Sequence, residues 1–202
     1  IRKGEFKFDR LNGFGTQTFI DGSIHEGEWL NGQAFGHGVL ITSGENGYKY
    51  EGTWKFDFKN GKGIQIGKDY SYEGGFEDDD FSGYGIYSDD YVTYDGELKG
   101  NLFNGIGKAT YLTTGVTYEG EFLEEEFHGN GIYTWPDGEK YEGEFRNGQF
   151  QGQGIITYAN GSIFSGEFQD NLFHGKGTLT YSDGTKYVGE FKDDLFNGEG
   201  VI

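Results

Sequence analysis

Hydrophobic and polar positions alternate along this chain in short runs. In residues 141–146, Tyr141, Gly143 and Phe145 fall on one parity and Glu142 and Glu144 on the other. Successive side chains of a β-strand point to opposite faces, so the run predicts a strand with one aromatic and one acidic face. A few residues on, Gly152, Gly154, Ile156 and Tyr158 share a parity, as do Gly129, Gly131, Tyr133 and Trp135, and again Gly175, Gly177, Leu179 and Tyr181. No segment places apolar residues at i, i+3, i+4 and i+7, and the only proline is Pro136, so no helix is predicted.

The two-strand pattern repeats. Its first glycine falls at Gly4, Gly27, Gly52, Gly74, Gly96, Gly120, Gly143, Gly166 and Gly189, and a G-x-G begins nine residues after each. Nine units therefore fill residues 1–202 as a single array, beginning near residues 2, 25, 50, 72, 94, 118, 141, 164 and 187, the last of them truncated. All length variation lies between a G-x-G and the next unit, where Asp137-Gly138, Asn160-Gly161 and Asp183-Gly184 predict tight hairpin turns of type I′. The expected fold is all-β: an elongated, single-layer antiparallel sheet of about nine stacked hairpins, curled into a groove. Its glycines, Gly152 and Gly175 among them, are expected to act as pits under the rings of neighbouring strands. Neither end shows a capping segment, so self-association through the array ends is an expectation of the pattern.

Composition sharpens this picture. Only 34% of the 202 residues are hydrophobic, yet 18% are aromatic and 39 are glycine, so Phe, Tyr and Trp must carry most of the burial. The net charge of −18, from 34 acidic against 16 basic residues, argues against nucleic acid as a partner and makes direct membrane binding unlikely. A basic or amphipathic protein segment suits it better. There is no cysteine, hence no disulfide framework, and no apolar run approaches the length of a membrane helix.

With a period near 23 residues, the pattern Y-E-G-E-[FW]-x-x-x-x-F-x-G-x-G resembles the MORN (membrane occupation and recognition nexus) repeat family. Units six to nine, "YEGEFLEEEFHGNG", "YEGEFRNGQFQGQG", "FSGEFQDNLFHGKG" and "YVGEFKDDLFNGEG", match it closely. Earlier units depart from it: Lys3 and His25 stand in place of the leading aromatic, Leu98 in place of the second, and Ala34 and Lys59 where later units have phenylalanine. The resemblance implies a scaffold that binds a partner peptide or helix in cilia, the cytoskeleton or membrane junctions, and an intracellular setting. It also implies two rival readings: a phosphoinositide or membrane-attachment module, and the regulatory repeat region of a larger enzyme.

Chemistry-bearing motifs are sparse. None of the G-x-G elements continues into a phosphate loop, no Ser/His/Asp spacing supports a triad, and the carboxylates recur with the repeat, so neither catalytic residues, cofactor nor metal site is expected. His128 and His174 are two units apart, too far to share one ion. The acidic clusters Asp78–Asp80, Glu124–Glu126 and Asp193-Asp194 read as solvated loop tips. The candidate partner-binding residues are the groove aromatics Tyr72, Tyr94, Tyr118, Tyr141, Phe164 and Tyr187, with Trp29 and Trp54 from the second row.

Overall fold

The computed structural model describes residues 1–202 and contains eighteen β-strands and no helix. It divides into two compact units, Ile1–Leu102 and Phe103–Ile202. The first holds β1 (Arg2–Lys7), β2 (Arg10–Thr18), β3 (Ile24–Leu30), β4 (Gln33–Ile41), β5 (Lys49–Lys55), β6 (Phe58–Ile66), β7 (Tyr70–Glu77), β8 (Asp80–Asp89) and β9 (Val92–Lys99). In the second are β10 (Leu102–Tyr111), β11 (Val116–Leu123), β12 (Glu126–Thr134), β13 (Lys140–Arg146), β14 (Gln149–Thr157), β15 (Ile163–Gln169), β16 (Leu172–Thr180), β17 (Lys186–Lys192) and β18 (Leu195–Val201). Within each unit every strand pairs antiparallel with the next in sequence.

The register aligns glycine with glycine. Gly120, Gly131, Gly143, Gly154, Gly166, Gly177, Gly189 and Gly200 each pair across the ladder, forming one bare row through the second unit. The ring of Tyr141 lies over this row: a Cβ on Gly154 would fall 2.5 Å from Tyr141 Cε2 and 2.6 Å from its hydroxyl. Gly177 stands in the same relation to Phe164, 2.7 Å from Cε2. The sheet thus accommodates large rings by removing the side chain beneath each of them.

The first glycine of each G-x-G has a different job, which corrects the reading of Gly152 and Gly175 as pits. Gly143 pairs with Gly154 but Glu144 pairs with Gln151, so Gly152 and Gln153 are extra residues in a bulge, and Gly152 has φ +57°. Glu144 folds over the bulge, its carboxylate accepting a 3.0 Å bond from the Gln153 amide. The register also puts Arg2 rather than Lys3 at the leading position of the first repeat, since Gly4 pairs with Gly15 and Arg2 with Gln17.

A second correction concerns the turns. Those with two residues at positive φ close β13 to β14 at Asn147-Gly148 and their equivalents, such as Asp170-Asn171 and Asp193-Asp194. At Asp137-Gly138 only the glycine has positive φ, at +89°, and the wider loop is closed by Trp135 N donating to Glu139 O at 2.9 Å. There the aspartate works through its side chain, accepting the Glu139 amide at 3.0 Å.

The two-residue turns also bind successive repeats together within each unit. Asn171 N donates to Phe150 O at 3.2 Å, and Asn171 Oδ1 accepts the Phe150 amide at 2.8 Å. Asp194 holds Phe173, Asp79 holds Lys59 and Asp57 holds Ala34 by the same two bonds. Asp79 and Asp194, read from sequence as solvated tips, therefore latch each hairpin to the one before it.

Candidate functional site

The eight aromatics expected to line a groove are the core of the sheet. Tyr72, Tyr118, Tyr141 and Phe164 are 0% exposed, Tyr94 1%, Tyr187 and Trp29 5% and Trp54 6%. Each leading ring of the later repeats is covered by the phenylalanine on its partner strand: Tyr141 stacks on Phe150 with centroids 3.8 Å apart, Tyr118 on Phe127 at 4.0 Å and Phe164 on Phe173 at 3.7 Å. Edge contacts add Phe145 at 5.1 Å and, from the following repeat, Phe168 at 5.0 Å. Rings packed on three sides cannot offer their faces to a partner, and removing one would open a large hole in the core. Alanine at Tyr118 or Tyr141 is therefore a stability variant.

The tyrosine hydroxyl has a backbone task. Tyr141 Oη donates to Glu144 O at 2.9 Å and Tyr118 Oη to Glu121 O at 2.8 Å, satisfying carbonyls beside the bulge. Burial pushes both phenols well above the ordinary range, and the Tyr72 phenol to about 12. Phe164 occupies the same place without a hydroxyl. Phe164→Tyr should supply the missing bond toward Glu167 O and raise stability by about 1 kcal/mol, read as a higher denaturation midpoint; an unchanged or lower midpoint would refute this role for the hydroxyl.

Outside the buried row lies a second rank of rings on the same sheet face. Tyr111, Phe127, Tyr133, Trp135, Tyr158 and Phe173 are half-buried. Four of them form a chain of edge contacts: Tyr111 to Phe127 at 6.0 Å, Phe127 to Tyr133 at 5.8 Å and Tyr133 to Trp135 at 4.7 Å. Burial pushes the Tyr111 phenol up, and Tyr133 and Glu125 add to the effect. The parity of Tyr133 and Trp135 after the G-x-G had placed them on this face. That the second strand, rather than the first, carries the accessible rings was not legible from parity, because it depends on which ring overlies which.

The first unit departs from this packing at the positions where its sequence departs. His25 is wedged between Trp29 and Trp54, centroids 4.8 and 4.4 Å away, and burial lowers its pKa to about 4 against a smaller opposing pull from Asp57. Both indoles are satisfied, Trp29 Nε1 donating to Gly15 O at 2.9 Å and Trp54 Nε1 to Gly38 O at 3.2 Å. Lys59 lies in the core with Nζ 4.8 Å from the Tyr48 ring, 5.6 Å from Tyr50 and 5.7 Å from Phe76, and donates to Gln65 Oε1 at 2.6 Å. Burial lowers its pKa, opposed by Asp79 and Asp80. A lysine can replace a phenylalanine here because ring faces and an amide oxygen receive the ammonium.

The opposite face alternates carboxylates and aliphatics across the strands. Glu119 pairs with Ile132, Ile132 with Glu142 and Glu142 with Ile155 in the second unit, as Glu51, Ile64, Glu73 and Ile86 do in the first. Lys108–Glu119 at 3.2 Å and Lys140–Glu142 at 3.1 Å are exposed ion pairs worth little. No three His, Asp or Glu side chains converge as a metal ion requires, and no helix is long and apolar enough to cross a membrane.

A family model described as the MORN repeat matches residues 3–24, 25–44, 50–71, 72–90, 94–111, 118–140, 141–163, 164–186 and 187–202. Comparison with curated proteins gives no significant match. Among solved structures the chain is similar to one described as the SAS-4 (dCPAP) TCP domain in complex with a proline-rich motif of Ana2 (dSTIL) of Drosophila melanogaster. The identity is 14% over 93% of this chain and 88% of that one, with a TM-score of 0.30. Superposition at that score does not establish a shared fold.

Proposed function

The chain belongs to the MORN repeat family along its whole length, and from that premise we propose that it is a non-catalytic scaffold holding a helical or extended segment of a partner protein. The observation that carries the reading is the half-buried set Tyr111, Tyr133 and Trp135, which lies on the aromatic face around Phe127, the ring stacked on Tyr118. Rings of this kind are the usual anchors of protein interfaces, combining large area with few rotatable bonds. In this reading the face curls into a trough. The partner segment is basic or amphipathic, because the second unit carries sixteen carboxylates against six basic side chains. A ciliary or cytoskeletal assembly inside the cell is the setting proposed.

The test is to purify the native complex, identify the partner, and measure its affinity for variants. Trp135→Ala and Tyr133→Ala lie outside the stacked core and should weaken binding about tenfold or more with little change in the denaturation midpoint. Undiminished affinity would move the partner to another face. Sedimentation of the isolated protein with anionic vesicles at physiological salt would instead favour a membrane-attachment module, against which the net charge of −18 argues.

A further inference from the structure

One repeat of the first unit lacks a hydrogen bond that most others share. Tyr50, Tyr72, Tyr94, Tyr118, Tyr141 and Tyr187 each donate their hydroxyl to the carbonyl three residues on, at 2.7–3.1 Å. In two of them the hydroxyl also lies within reach of a carbonyl on the paired strand, Tyr118 Oη 3.2 Å from His128 O and Tyr141 Oη 3.4 Å from Gln151 O. His25 stands in the tyrosine's place in the second repeat, where the register makes Glu28 O and Phe35 O the corresponding carbonyls. It meets neither of them: His25 is 3% exposed, and its Nε2 is buried without a hydrogen-bond partner.

The imidazole enters the same pit as the phenol and ends earlier. A Cβ on Gly38 would fall 2.6 Å from His25 Nε2, just as one on Gly63 would fall 2.5 Å from Tyr50 Cε2. Over the first glycine of each pair the two rings differ. The hydroxyls of Tyr50 and Tyr141 stand 2.4 and 2.5 Å from the Cβ positions of Gly52 and Gly143, whereas the atoms nearest that position at Gly27 all belong to the backbone of His37 and Gly38. Nε2 therefore stops short of the hydroxyl's place, and a hydrogen bond of about 2.9 Å spans the remainder.

We propose that His25 binds a single buried water molecule over Gly27, in the role of the missing tyrosine hydroxyl. The two hydrogens of the water go to Glu28 O and Phe35 O. It accepts its third bond from the imidazole, which fixes His25 as the tautomer protonated on Nε2. Three polar partners are the usual complement of a buried water. The indoles that flank His25 do not compete for it, because Trp29 Nε1 already donates to Gly15 O and Trp54 Nε1 to Gly38 O. The site is independent of the partner assigned to the second unit.

Nitrogen NMR of the full chain at neutral pH tests the tautomer. His25 should carry its proton on Nε2, and a proton on Nδ1 overturns the proposal. A high-resolution crystal structure should show one oxygen within hydrogen-bond distance of His25 Nε2, Glu28 O and Phe35 O. Absence of that oxygen overturns the proposal, as does an imidazole bonded directly to either carbonyl. His25→Tyr should fold, since six repeats already carry tyrosine there, and its hydroxyl should displace the oxygen and donate to Glu28 O. An oxygen retained in that variant would assign the water to the backbone instead of His25 and overturn it too.

Discussion

Gly154→Val should destabilise the second unit by about 4 kcal/mol, the largest loss expected of any single substitution discussed for this chain. Its Cβ would fall 2.5 Å from Tyr141 Cε2, and the ring has nowhere to go, being stacked on Phe150 at 3.8 Å and edged by Phe145 and Phe168. Moving it also breaks the hydroxyl bond to Glu144 O. Gly152→Ala should cost less, about 1–2 kcal/mol, since its penalty is a left-handed φ of +57° and its Cβ meets only the movable Glu144 carboxylate. Gly161→Asn should change stability by no more than about 0.5 kcal/mol, because nothing lies within 4 Å of a Cβ there and asparagine tolerates its φ of +84°. Denaturant midpoints of the three variants check the order. Equal costs at Gly154 and Gly161 would mean the rings do not depend on the glycine row.

Acid should loosen the first unit before the second. The folded-state pKa of His25, about 4, lies below the ordinary 6.5, so the fold disfavours the imidazolium. Above pH 6.5 the residue is neutral in both states and contributes no pH dependence. Between pH 6.5 and 4 the unfolded chain takes up a proton that the folded chain refuses, and stability falls with decreasing pH by about 3 kcal/mol in all. The exposed carboxylates Asp21 and Asp183, whose pKa values are lowered by bonds from Ser23 and Thr185, lose their contribution only at lower pH. Trp29 and Trp54 touch His25, so tryptophan fluorescence during denaturation, measured with Trp135 of the second unit replaced by phenylalanine, reports the event where it occurs. In His25→Tyr the slope between pH 6.5 and 4 should vanish. A slope that survives that substitution would place its origin in another group.

The strands were legible because the parity of Tyr141, Gly143 and Phe145 requires only that side chains alternate. Pairing of Gly143 with Gly154 follows once the period is known, and so does the pit beneath Tyr141. Gly152 was misread because parity counts straight through a bulge, and the extra residues appear only when both strands are in register. Asp137-Gly138 and Asn147-Gly148 look alike as dipeptides, yet the flanking pairs decide which closes in two residues. The role of Tyr118 and Tyr141 turned on something parity does not encode: whether a phenylalanine on the neighbouring strand lies over the ring. In a one-layer sheet that covering ring separates core from surface. Asp79 and Asp194 were read as solvated charge because the amides that donate to them, those of Lys59 and Phe173, lie about one repeat back along the chain.

That latch points one way along the sequence, from Asp194 to Phe173 and from Asn171 to Phe150. Excising residues 141–163 would bring Asn171 opposite Phe127, another phenylalanine of the same stacked kind, and every joint could close again. Rungs can be lost or gained without any new contact being invented. Reach then becomes a quantity such a chain can alter freely while its chemistry stays fixed.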